Sequence, residues 1–364
     1  MATEARAEPR NFGLDVLRCF AIGAVLVSHL GTHFFQPFHP GLHPFLVGAS
    51  VVGVEAFFVL SGFLIGGILL RQFAPGRPAS LPQARDFWVR RWFRTLPNYY
   101  LFVAVNAIVF WTGLTPYPMR PEYLLFLQNL WTFPPGPFGE SWSLSVEEFF
   151  YLLLPLLILL ACWLVRARQA ALLAAAFALM AVPTVARLAL AAAGTEPQPW
   201  NEGTRSVVLL RLDALGYGVL GAMAAAWRPA LWNAHCGARA VVGVALAAVG
   251  VWLCVRLFFG LDAPLAYLLS LPLVSAGILL TLPWLEAIRP WGRTSRAAVT
   301  ATSKYAYSLY LCHTPLAYLV LATMGAGPLQ SLVWLGAAYA VAALVFHGFE
   351  RPTTALRERF AKRA

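Results

Sequence analysis

Charge is what this chain has least of. Only 12% of its 364 residues are Asp, Glu, Lys or Arg, where a soluble domain carries about 25%. Acids are the scarcer sign, 16 against 27 basic residues, for a net charge of +11 at pH 7. Lysine is confined to Lys304 and Lys362. Cysteine is sparse and scattered, at Cys19, Cys162, Cys236, Cys254 and Cys312 with no CxxC pair. That pattern excludes a disulfide framework and the spacing of a zinc site, and no metal is expected. The arginines are dispersed between apolar stretches rather than gathered on one face, so a nucleic-acid partner is not expected either. The sequence shows no internal repeat and no appended soluble domain. No cleavage pattern precedes the first apolar stretch, which is therefore expected to stay in the protein.

What replaces charge is apolar length: 59% of residues are hydrophobic. The fold class this implies is an all-α polytopic membrane protein, because lipid offers no partner to free backbone groups. Ten spans are read, at about 14–35, 50–70, 88–113, 146–165, 169–190, 206–227, 239–258, 265–285, 303–323 and 329–349. The chain then divides into an N-terminal segment 1–13, a membrane domain 14–350 and a basic tail 351–364. With the N-terminus in the cytoplasm, most arginines fall on cytoplasmic segments, and only Arg120 and Arg205 on outer loops. The positive-inside rule thus places both termini inside. The outer stretch 114–145, rich in Pro, Tyr and Trp, is long enough to be a lid or acceptor platform. Its PEYLLFLQNLW reads as a short interfacial helix.

Two polar side chains interrupt the first span. Arg18 and His29 are eleven residues apart, close to three helical turns, so they share a face and stand about 16 Å apart along the axis. Ionisable groups inside a span are expensive and point to function. Imidazole takes a hydroxyl proton near neutral pH, which suits a general base. A buried histidine can equally be a helix–helix hydrogen-bonding group. Asp15 lies one turn from Arg18. The arrangement suits a long anionic molecule whose reactive end reaches a buried base.

In FWVRRWFRTLP, Arg90, Arg91 and Arg94 enter the third span from the inner side. Arg91 and Arg94 share a face, and neighbouring guanidiniums suit phosphate recognition. Membrane-boundary anchoring accounts for any one of them. In GESWSLSVEEFFYL, Ser141 or Ser143 is expected to cap the fourth helix. Glu147 and Glu148 would favour its dipole, and one of them is expected to face the interior and meet His29 or an arginine. Arg211 and Asp213 are expected to pair with each other or with neighbouring helices. Glu55 is read as structural. His313 and Glu350 complete the intramembrane set considered as supporting residues.

Seven motifs occur in order: GLDVLRCFAIGAVLVSH, GVEAFFVLSGFLI, RRWFRTLP, SWSLSVEEFFYL, RLDALGYG, YSLYLCHTPL and FHGFERP. Together they resemble the acyltransferase-3 family of bacterial integral-membrane O-acyltransferases over about residues 12–352. Ala56 departs from the bulkier residue common in the second motif, without chemical consequence. The family's arginine-to-histidine motif falls on Arg18 and His29, and its Arg-x-x-Arg motif on Arg91 and Arg94. The resemblance implies transfer of an acyl group, usually acetyl, from cytoplasmic acetyl-CoA or another acyl-CoA to a carbohydrate hydroxyl. The setting would be the bacterial inner membrane, in contact with its lipid. It is closest to the stand-alone form without a fused esterase-like domain, and oligomeric state stays open.

On that implication, Arg90, Arg91 and Arg94 would receive the anionic head of the donor. An extended arm covers on the order of 15 Å, which matches the Arg18–His29 separation. His29 would act as base with Arg18 and Glu147 beside it, Glu147 orienting or charge-balancing the imidazole. A secondary transporter built on the same buried Arg, His and Glu groups is the alternative, although transporters of that kind often carry inverted repeats.

Overall fold

The computed structural model describes residues 10–360 apart from 36–37, 77–78, 133–135, 197–198 and 262. Residues 1–9 and 361–364, which include most of the expected N-terminal segment and the end of the expected tail, lie outside the described residues. Every long element is helical, and no strand occurs among the described residues. The helices are α1 (Phe12–Leu30), α2 (His43–Gln72), α3 (Leu81–Trp111), α4 (Ser141–Leu164), α5 (Arg168–Ala193) and α6 (Asp213–Trp227). After the short α7 (Pro229–Asn233) come α8 (Cys236–Phe258), α9 (Pro264–Glu286), α10 (Arg293–Met324) and α11 (Pro328–Val345). Two short helices, α12 (Arg351–Ala355) and α13 (Arg357–Phe360), follow.

Seven of the long helices are long and apolar enough to cross a membrane. The other three are α3, α6 and α10. Polar residues such as Arg94, Asn98 and Asn106 dilute α3, and Ser303, Lys304 and His313 dilute α10, while α6 has only 15 residues. Large apolar side chains such as Trp111, Trp163, Val241 and Leu344 are exposed, whereas Glu55, Arg187, Arg211 and His313 are buried. That inverted distribution is what lipid as solvent requires. The protein is a multi-pass helical membrane protein.

Helix boundaries differ from the hydropathy reading in instructive ways. The sixth span was expected to begin at 206, but Val208–Leu210 form a 3-10 turn and α6 begins at Asp213. That apolar run is buried in a turn tied down by Val208 N–H to the Asn129 carbonyl at 3.0 Å. Neither Ser141 nor Ser143 caps α4. Glu140 occupies the N-cap, and the two hydroxyls donate back to the carbonyls of Phe138 and Glu140 at 2.7 and 3.2 Å. The expected interfacial helix is one 3-10 segment, Pro121–Leu125, ended by Phe126 in the left-handed conformation.

α1 packs against α2, α9 and α10. Asn11 caps it by accepting from Leu14 N–H at 3.1 Å, a contact worth about 1 kcal/mol. Beyond Leu30 the helix widens into a π-helical turn, Gly31–Phe35, directly after His29. Such turns concentrate at functional sites.

α2 and α6 meet through glycines. A Cβ on Gly62 would overlap the Leu215 carbonyl, and one on Gly218 would overlap the Val59 carbonyl. Close backbone approach through small residues is how membrane helices gain packing energy. Gly218→Leu is therefore expected to force the pair apart and abolish the monodisperse size-exclusion peak in detergent. Gly23→Leu, where a side chain meets open space, is expected to leave that peak unchanged.

Candidate active site

One cavity gathers the polar residues of five helices. Its volume is about 140 Å³, and its lining includes Arg18 from α1, Ser61 from α2, Arg91 and Arg94 from α3, Glu147 from α4, and Tyr310 from α10. Glu350, from the turn after α11, closes one side. Most of these lining groups are held from behind. Arg18 donates to Asp15 Oδ1 at 3.1 Å and Ser303 Oγ at 2.9 Å. Asp15 is shared with Arg10, at 2.7 Å, and with the Ser303 hydroxyl, at 2.7 Å. Asp15 thus fixes the orientation of Arg18 and is itself buried away from the cavity.

Arg91 lies over the Tyr151 ring at 4.1 Å, donates to the Tyr151 hydroxyl, and is 3.8 Å from Glu147 Oε2. Glu147 in turn accepts from Ser61 Oγ at 2.9 Å and Tyr151 Oη at 2.7 Å. Arg94 donates no hydrogen bond to a described residue, and its side chain is accessible within the cavity. It is the guanidinium with donors to spare. Glu350 accepts from Asn98 Nδ2 at 3.2 Å and Ser308 Oγ at 2.6 Å.

The sequence groups Arg90, Arg91 and Arg94, but the helix separates them: Arg91 and Arg94 line the cavity and Arg90 does not. Glu148 is buried off the cavity beside Glu147. Glu147 meets an arginine rather than His29, the second of the two arrangements expected for it. Its carboxylate therefore lies in the cavity that Arg18 lines, and His29 is not among the residues lining that cavity.

His29 stands outside this cavity, in a histidine cluster. Its ring is 4.6 Å from that of His313, edge to face, and 5.7 Å from that of His33. His313 is fully buried, with Nδ1 at 3.2 Å from the Leu309 carbonyl and Nε2 without a hydrogen-bond partner. Tyr310 joins the two regions. Its ring lines the arginine cavity, lies 5.9 Å from the His313 ring, and its hydroxyl is 2.7 Å from Ser143 Oγ and 3.2 Å from the Glu140 carbonyl. Sequence reasoning missed Tyr310, Tyr151 and Tyr307, the last of which also lines the cavity and donates to the Thr95 carbonyl at 2.9 Å. The available signal was helical spacing, since Tyr310 lies three residues from both Tyr307 and His313 and so neighbours each on the helix surface.

Arg211 and Asp213 lie away from the cavity. They do not pair with each other. Arg211 forms an ion pair with Glu55 on α2, and Asp213 with Arg187 on α5. Ser275 on α9 also donates to Glu55 at 2.7 Å. These groups knit four helices together. Arg211→Gln strands the Glu55 carboxylate and is expected to cost about 3–5 kcal/mol. The double variant Glu55→Gln/Arg211→Gln should recover much of it, as read by thermal melting in one detergent.

The comparison that decides the family comes from the whole chain. An acyltransferase-domain model, Acyl_transf_3, matches residues 11–347. The chain belongs to this acyltransferase-3 family. YrhL of Bacillus subtilis is 33% identical over 172 residues, covering 43% of this chain and 25% of that protein. The peptidoglycan O-acetyltransferase OatA of Listeria monocytogenes is 31% identical over 162 residues, covering 40% of this chain and 24% of the relative. The O-acetyltransferase OatA of Staphylococcus aureus is 29% identical over 161 residues, again 40% and 24%. The matches thus span about a quarter of the length of these relatives. No solved structure matches the chain.

Proposed function

We propose that this member of the acyltransferase-3 family transfers an acyl group, acetyl in the first instance, from a cytoplasmic acyl-CoA to a hydroxyl of a carbohydrate acceptor. The observation that carries the reading is the cavity itself. It brings Arg18, Arg91 and Arg94 together from two helices and touches, through Tyr310, the His313–His29 pair. Two of the most similar relatives bear the name O-acetyltransferase, and a glycan acceptor is carried over from them as part of this proposal.

The donor is a long thin molecule with an anionic head. A cavity of about 140 Å³ suits its narrow arm and acyl end rather than the bulky head. The head would lie at the basic end, where Arg94 has free donors and Arg18 and Lys304 add positive charge. Guanidinium pairs match phosphate oxygens geometrically. Glu147 and Tyr151 hold Arg91 in place, which is a positioning role.

The acceptor would approach from the opposite end. His29 removes the proton of the acceptor hydroxyl, whose oxygen forms a bond to the thioester carbonyl carbon. The carbon–sulfur bond then breaks, and the leaving thiolate takes the proton from the imidazolium. Atoms and charge balance, and the histidine returns to its starting state.

The test is turnover of labelled acetyl-CoA by purified protein in nanodiscs with a panel of soluble glycosides. Label on an acceptor supports the reading. Protein that neither binds nor consumes any acyl-CoA, yet moves a solute in proteoliposomes, overturns it in favour of transport.

A further inference from the structure

Arg205 is a buried cation that none of the preceding chemistry uses. It ends the π-helical turn Asn201–Arg205, which the 3-10 turn Val208–Leu210 separates from α6, and is 6% exposed. No carboxylate stands within ion-pair distance of it among the described residues. Its partners are neutral: Asn201 Oδ1 at 2.9 Å, and the carbonyl and hydroxyl of Ser50 at 3.1 Å each. Its guanidinium lies 5.0 Å from the centre of the Trp142 ring, and its Nε has no partner. Burial first, and then nearby Arg211, push its pKa down to about 10, which leaves it protonated at neutral pH.

Proteins do not bury a charge without compensation. The neighbouring Arg211 holds the ion pair with Glu55, so that carboxylate acts on Arg205 only from beyond contact distance. Instead Arg205 lines a separate cavity of about 180 Å³ with Ser28, Thr32, His43, Ser50 and Asn201. Ser28 directly precedes His29 at the end of α1, and Thr32 lies in the π-helical turn that follows. The cavity is polar on the Arg205 side and opens where α1 ends and α2 begins. It lies at the histidine end of the bundle, away from the arginines assigned to the donor.

The geometry points to an acceptor subsite in which Arg205, held by Asn201 and Ser50, binds an anionic group carried by the sugar substrate, a carboxylate or a phosphate. The inference deepens the acyl-transfer reading and rests on it for the word acceptor. The missing negative charge arrives with the substrate, and the hydroxyl to be acylated is placed toward His29. The hydroxyls of Ser28 and Ser50 offer further partners to its oxygens.

The experiment compares methyl glucoside, methyl glucuronide and glucose 1-phosphate, which differ in charge and in the source of that charge. Binding of each to the detergent-solubilised full chain is measured without donor, alongside acetyl transfer to each. At least one anionic sugar is expected to bind about tenfold or more tighter than the neutral one, as a charge-assisted hydrogen bond allows. Which one binds identifies carboxylate or phosphate. The ratio should shrink toward one in Arg205→Gln, persist in part in Arg205→Lys, and narrow in the wild type as salt is raised. A wild-type ratio near one, or an equal loss for neutral and anionic sugars in Arg205→Gln, overturns the subsite. Charge-selective binding without any acyl transfer would leave the subsite standing and remove the transferase reading instead.

Discussion

Replacing His29 by alanine is expected to lower acyl transfer by about 10²–10⁴, the range that loss of a general base produces, while acetyl-CoA binding stays near the wild-type value. The two effects separate because His29 is not among the residues that line the arginine cavity. Its neighbours are rings: His313 at 4.6 Å and His33 at 5.7 Å. The geometry also makes the competing assignment testable. The Nε2 of His313 has no hydrogen-bond partner, so His313 is the nearest alternative base. Its Nδ1 is engaged with the Leu309 carbonyl and its own carbonyl accepts from Trp334 at 2.7 Å, which marks it as a group fixed in place. His313→Gln is therefore expected to reduce transfer by a smaller factor than His29→Ala. Single-turnover kinetics with labelled acetyl-CoA read both variants. Near-normal transfer by His29→Ala, with His313→Gln inactive, would move the base to His313 and leave His29 a packing role.

How much of this was legible in the sequence depends on which physical signal each feature leaves. The apolar spans leave a strong one, and seven of the helices are long and apolar enough to cross a membrane. Their ends are weaker, because polar residues extend helices without raising hydropathy: α10 begins at Arg293, ten residues before the expected span, and α2 begins at His43. The 207–210 run shows the converse, since a buried turn can be as apolar as a helix. Within the candidate site, the Arg18–His29 and Arg91–Arg94 pairs follow from helical period, which fixes neighbours on one helix. Partners between helices leave no such trace. Nothing in the spacing could tell that Glu147 would meet Arg91, that Asp213 would choose Arg187 over Arg211, or that Tyr310 would stand between the two regions. Those depend on interhelical rotation, set by packing such as the Gly62–Leu215 approach.

Arg91 offers the second large effect, and it differs in kind from that of His29. Arg91→Gln should raise the apparent KM for acetyl-CoA by at least about tenfold, since a charge-assisted contact is worth about 1.5–3 kcal/mol. It should also destabilise the protein, because Glu147 would lose its cation while keeping only Ser61 and Tyr151 as partners. Breaking one member of a buried pair costs about 3–5 kcal/mol, and the partial exposure of this pair, 15% for each side chain, places it at or below the lower end. The double variant Arg91→Gln/Glu147→Gln removes both charges and separates the two effects. Thermal stability is expected to return toward the wild type, whereas the KM defect persists, because the guanidinium that would meet the donor is still absent. A thermodynamic cycle over the four proteins isolates the coupling. If Glu147→Gln alone abolishes kcat and leaves KM and stability unchanged, the carboxylate acts directly on the reacting groups. Its position beside Arg91 would then be a resting arrangement from which it turns during catalysis.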